Sequence, residues 1–100
     1  MKKIIDLNEY ANRCVEFKIG DKVIKCPELT YAGMKKINAY ELNTKATVED
    51  ECEIILWLLN RNTSGVKFTQ KDIDDLPSSA VTRLYKECVM LSRKALNDPN

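Results

Sequence analysis

Gly20-Asp21 divides two short stretches in which apolar and polar residues alternate. Val15, Phe17 and Ile19 alternate with Cys14, Glu16 and Lys18, a period of two that belongs to a half-buried strand. Lys22 to Cys26 reads as a second strand. A two-residue loop with Gly first suits a type II′ turn. That turn fixes the register: Phe17 opposite Ile24, Val15 opposite Cys26, Glu16 opposite Lys25. Two apolar pairs then share one face, and a pair of opposite charges sits on the other, as a correct register requires. Pro27 ends the ladder, because it lacks the N–H that a further rung needs.

The rest of the chain changes to a helical period. Asp6 to Arg13 is expected as a short helix with Leu7, Tyr10 and Ala11 on one side. Thr30 is placed as the N-cap of a helix reaching about Leu42, with Met34 and Ile37 inward. Asn43 to Ala46 is a loop. Thr47-Val48-Glu49-Asp50 has the spacing of a capping box, and a helix follows from Val48 to about Asn60. Its residues Val48, Cys52, Ile55, Leu56 and Leu59 form one stripe. Ile54, Trp57 and Leu58 fall on the other side. A helix apolar nearly all round is either central in its fold or shares a second face with a partner. Gly65 closes the following turn. Thr69-Gln70-Lys71-Asp72 opens a short helix through about Asp75. Pro77 fits the first turn of a last helix running to about Leu96. Val81, Leu84, Tyr85, Cys88, Leu91 and Ala95 make its apolar stripe. Arg83, Lys86, Glu87, Arg93 and Lys94 cover its outer side. The fold class is therefore α+β, mainly α: an N-terminal β-hairpin followed by three or four packed helices. One domain over residues 1–96 and a flexible C-terminal tail over 97–100 are expected, since 100 residues suffice for one core and no more.

Composition removes several functions. The chain has 16 Lys and Arg against 15 Asp and Glu, a net charge of +1. That argues against a strongly basic nucleic-acid binder. There is no His, which removes imidazole catalysis and His-based metal sites. The acidic groups concentrate at Glu49, Asp50, Glu51 and Glu53 and at Asp72, Asp74 and Asp75. Both clusters fall at expected helix starts, where negative charge complements the helix dipole. Neither has the ligand order of an EF-hand loop.

The four cysteines, Cys14, Cys26, Cys52 and Cys88, have no CxxC spacing and no export signal beside them, so they read as free, buried small residues. The longest apolar run, Ile54 to Leu59, is far short of a membrane span. The chain is read as intracellular.

No phosphate-cradling Gly loop, GxSxG, HExxH or dinucleotide fingerprint occurs. No catalytic, cofactor-binding or metal-binding residue is assigned, no cofactor is expected, and the chain is expected not to be an enzyme. The basic face of the last helix, through Arg83, Lys86, Arg93 and Lys94, could touch phosphates. A small regulatory or DNA-binding protein is thus the alternative reading.

Several segments, in order, carry a family resemblance. The hairpin Val15-Glu16-Phe17-Lys18-Ile19-Gly20-Asp21-Lys22-Val23-Ile24 precedes Leu29-Thr30-Tyr31-Ala32-Gly33-Met34-Lys35-Lys36. An acidic-to-apolar helix then ends in Leu58-Leu59-Asn60-Arg61-Asn62. Phe68-Thr69 leads through Ile73-Asp74-Asp75-Leu76-Pro77 into a long final helix. Over nearly its whole length the chain resembles the small tail assembly chaperones of tailed bacteriophages and prophages. The resemblance implies a non-enzymatic protein of the bacterial host cytoplasm. Its partner would be the long, helical tape-measure protein, kept soluble until tail-tube subunits polymerise around it. Tail-tube subunits and further copies of the chain are additional candidate partners. No membrane is implied, and no site residue carries over from a motif. The residues themselves nominate Ile54, Trp57 and Leu58 as a partner-binding face, because amphipathic helices dock on apolar faces and Trp is enriched at interface hot spots.

Overall fold

The computed structural model describes residues 2–97, with side chains through Arg93. Strands β1 (Cys14–Ile19) and β2 (Lys22–Pro27) form a two-stranded antiparallel sheet. Four helices follow: α1 (Tyr31–Leu42), α2 (Val48–Asn60), α3 (Gln70–Asp74) and α4 (Ser78–Asn97). The α+β, mainly helical architecture is the expected one.

The hairpin has the expected register, with Val15 opposite Cys26, Glu16 opposite Lys25 and Phe17 opposite Ile24. Gly20 has φ +61° and Asp21 has no positive φ, the sign pattern of a type II′ turn. Ile24 and Cys26 are buried, while Val15, Phe17 and Ile19 pack against the core from the sheet's edge. Glu16 and Lys25 meet on the opposite face at 3.8 Å. Pro27 is the last residue of β2 and lies opposite Cys14, but it does not stop the ladder: its nitrogen faces away from β1, and Glu28 donates to the Arg13 carbonyl one rung beyond.

Side chains close the starts of α1, α2 and α3. The Thr30 Oγ1 accepts from the Gly33 N–H at 3.0 Å. Thr47 with Asp50, and Thr69 with Asp72, form reciprocal capping boxes. Asp72 is held below its usual pKa chiefly by the hydrogen bond from the Thr69 backbone. Pro77 lies one residue ahead of α4. Its carbonyl accepts from the N–H groups of Ala80 and Val81, so it occupies the cap position, not the first turn.

Helix α2 is central. Ile54, Ile55, Leu58 and Leu59 are all buried, which consumes two of its sides. The loop from Arg61 to Phe68 has no regular structure, and asparagines organise it. Asn60 pairs with both backbone groups of Phe68, at 2.8 and 3.1 Å. Asn62 donates to the carbonyls of Leu59 and Val66. Thr63 and Ser64 bond to the outer edge of β2 at Lys25.

Several details differ from expectation. The Asp6–Arg13 helix is a single 3-10 turn, Leu7–Tyr10, with no buried residue. One turn capped by Asp6 presents too little apolar surface to dock. Val48 is 75% exposed, because the first turn of α2 projects beyond the core. Among the described side chains of α4 the buried ones are Leu84, Cys88, Val89 and Ser92. The inward face is therefore rotated from the expected stripe, leaving Val81, Tyr85 and Leu91 half-buried. Ala95 and the tail beyond Asn97 lie outside the described side chains and residues. Among the cysteines only Cys26 and Cys88 are buried; Cys52 is half-buried and Cys14 exposed. Cys14 alternates with inward Val15, so the pleat turns it outward. No described helix is long and apolar enough to cross a membrane.

Candidate functional site

The sequence nominates Ile54, Trp57 and Leu58, and the structure separates them. Leu58 is fully buried and belongs to the core. Trp57 is half-buried and already has neighbours on its ring. Lys36 Nζ lies 4.7 Å from the ring centroid and the Arg61 guanidinium 5.6 Å. The indole lies close against α1: a Cβ at Gly33 would be 3.4 Å from Trp57 Cη2. Arg61 also donates to the carbonyls of Pro27 and Glu28 at 3.2 Å each. Trp57 is thus part of the clamp joining α1, α2 and the end of β2. The three residues do not form one exposed face, because a helix at the centre of a small fold is claimed from both sides by its own chain.

Ile54 has a different setting. It is 6% exposed, yet it lies at the base of two adjoining grooves. The larger, about 330 Å³, runs between α1, α2 and α4, floored by Ile54, Ile55 and Val81 and rimmed by Tyr40, Glu51 and Thr82. The smaller, about 270 Å³, lies on the other side of Tyr40, against Lys36 and Asp50.

A polar network fixes the wall of the larger groove. Tyr85 donates from its hydroxyl to Glu41 Oε2 at 2.6 Å, and Arg93 donates to Glu41 Oε1 at 2.6 Å. Arg93 also reaches Asn38 at 3.2 Å. Tyr40 and Tyr85 meet edge to face, with ring centroids 6.4 Å apart. Partial burial pushes the Glu41 carboxyl up, but the bonds from Arg93 and Tyr85 outweigh it and hold the group below its usual range. Burial, then the bond to Glu41, pushes the Tyr85 hydroxyl up. The wall is therefore a carboxylate with its charge balanced and a tyrosine that stays protonated. Beyond it, Leu42 and Val48 at the ends of the α1–α2 loop are strongly exposed.

Such a groove can receive an apolar side chain. Among the described residues no group of three His, Cys, Asp or Glu is placed to hold a metal ion. The basic face expected on α4 is also reduced. Arg93 turns toward α1, and Arg83 pairs with Glu87 at 3.3 Å. Lys86 is exposed, and the side chain of Lys94 lies outside the described ones.

Tyr40 and Glu41 carry no sequence signal as groove residues. They are joined to Tyr85 across more than 40 positions, and only the packing of α1 on α4 brings them together. No protein-family model, curated protein or solved structure matches the chain.

Proposed function

We propose that this chain is a binding protein of tail-assembly-chaperone type, which holds amphipathic helical segments of a tape-measure protein in the host cytoplasm and keeps them soluble while tail-tube subunits assemble. The observation that supports this reading is the groove over Ile54, apolar at its floor, between Tyr40 and the Tyr85–Glu41 wall. An apolar side chain of a partner helix fits it, with Leu42 and Val48 offering further apolar contact. Ile54 is the contact residue of the three nominated by sequence; Trp57 and Leu58 support α2 from behind. A net charge of +1 supplies no large steering field, so binding depends weakly on salt.

The test is co-expression with the tape-measure gene of the same genome. The tape-measure protein is expected to stay soluble and co-purify with the wild-type chain. Thr82→Arg, an exposed rim substitution that fills the groove, is expected to abolish co-purification with the fold intact by circular dichroism. A tape-measure protein equally soluble with and without the chain would refute the role. Undiminished binding by Thr82→Arg would refute the groove.

A further inference from the structure

The loop after α2 covers the outer edge of β2 at Lys25, and nothing among the described residues covers the outer edge of β1. Backbone groups along an antiparallel strand point alternately toward the partner strand and away from it. Glu28 donates to the Arg13 carbonyl across the hairpin, so Arg13, Val15, Phe17 and Ile19 direct their backbone groups toward β2. Glu16 and Lys18 direct theirs outward. On β2 the outward-facing Lys25 is satisfied by Thr63 and Ser64. Among the described residues, the outward groups of Glu16 and Lys18 have no partner. An open edge of this kind is a template for another strand.

We propose that a second copy of this chain occupies that edge, β1 pairing antiparallel with β1 about a twofold axis at Phe17. Three facts select this arrangement. First, the charges complement each other: Glu16 of each copy faces Lys18 of the other. Moving the axis to residue 16 sets Glu16 against Glu16, and moving it to residue 18 sets Lys18 against Lys18. A shift by an odd number would place apolar residues opposite charged ones and break the hydrogen-bond alternation.

Second, the backbone parity is right. Glu16 and Lys18 both point outward, so each Glu16–Lys18 pair exchanges both of its hydrogen bonds. Phe17 then meets Phe17 in the closer, non-hydrogen-bonded type of pair, where aromatic contacts are favourable.

Third, there is room beneath the new strand. Two cavities lie between β1 and the flank of α4. One, about 370 Å³, is beside Val15, Met90 and Leu91; the other, about 350 Å³, is beside Ile19, Ala80 and Leu84. The register sets Ile19 of the second copy opposite Val15, at the first cavity. It sets Val15 of the second copy opposite Ile19, at the second. Met90, 47% exposed in the single chain, is covered in the process. The product is one four-stranded sheet, β2-β1-β1-β2, which removes the open edge of both copies.

Sedimentation equilibrium over a concentration series tests this. Wild type is expected to show a reversible monomer–dimer equilibrium. Lys18→Glu puts two carboxylates opposite each other twice, and so does Glu16→Lys with lysines. Each is expected to raise the dimer dissociation constant about tenfold or more, since like charges directly opposite are destabilising. The two single variants, mixed, have complementary edges and are expected to form a heterodimer that neither forms alone. Circular dichroism confirms that each variant folds. A wild-type chain monomeric up to its solubility limit overturns the proposal, whatever else binds the edge. A wild-type dimer indifferent to both substitutions, or a mixture that forms no heterodimer, overturns it equally.

Discussion

The Ser92 hydroxyl accepts a hydrogen bond from the buried N–H of Leu29 at 3.1 Å, across 63 positions of sequence. Ser92 is 1% exposed, the one polar residue among the described buried side chains. The link ties the segment that leaves β2 to the last helix. Ser92→Ala leaves the Leu29 N–H without its partner in a place water does not reach. The expected cost is about 1–3 kcal/mol, more than a simple lost bond, because an unsatisfied buried donor carries its full desolvation penalty. Urea unfolding of the variant measures it, with an unchanged m-value expected.

That serine also shows what the sequence could and could not reveal. The hairpin was legible because two independent patterns, apolar pairs on one face and Glu16–Lys25 on the other, agree on one register. The starts of α1, α2 and α3 were legible because capping is local: Thr30, Thr47 and Thr69 act within three residues. The rotation of α4 was not. A serine reads as a surface residue until its long-range partner is known, and Arg93 reads as solvent-facing until Glu41 is placed beside it. The groove wall was illegible for the same reason. Trp57 is a different case: an apolar residue on a helix apolar nearly all round fits a core or an interface equally well, and only its neighbours Lys36 and Arg61 show how much of the ring its own chain covers.

Trp57→Ala is expected to destabilise the fold by about 2–3 kcal/mol, less than the ~3–5 kcal/mol of a fully buried aromatic, since the ring is only half-buried. It removes the contacts with Gly33 and the cation–π partners Lys36 and Arg61 together. Denaturant titration checks this. A stability equal to wild type would show that the indole contributes no packing and return it to the surface.

The thiols should differ sharply in reactivity. Cys14 is exposed, Cys52 half-buried, and Cys26 and Cys88 buried. A disulfide-exchange reagent added to the native protein is expected to label Cys14 first and Cys52 next. Cys26 and Cys88 should react only at the rate at which the fold opens. Mass spectrometry of the unreduced protein should find four free thiols. A native intramolecular bridge would contradict this.

Glu41 makes stability depend on pH in a stated direction. Its carboxyl is held below the ordinary value of 4.5, so the ionised form favours the folded state. That contribution is complete above about pH 4.5 and is lost as pH falls through the lowered folded-state value. Tyr85 works oppositely: its raised pKa keeps its contribution intact below about pH 10 and weakens it above. Tyr85→Phe removes one donor to Glu41. The variant should therefore show a smaller acid-side loss relative to its own neutral-pH stability. Denaturation midpoints from pH 3 to 8 decide it, and an acid limb unchanged from wild type would show that the tyrosine does not tune the carboxylate.

Asn60 has a consequence for how this sequence can drift. Exposed positions ordinarily tolerate replacement within about half a kcal/mol. Asn60 is exposed, but its amide serves both backbone groups of Phe68, acting as a one-residue stand-in for a strand. Aspartate keeps the shape and loses the donor; serine reaches neither group; glutamine is a methylene too long. Among surface sites, then, position 60 behaves like an interior one: a library of folded variants should hold asparagine there while the adjoining loop residue Lys67 varies freely.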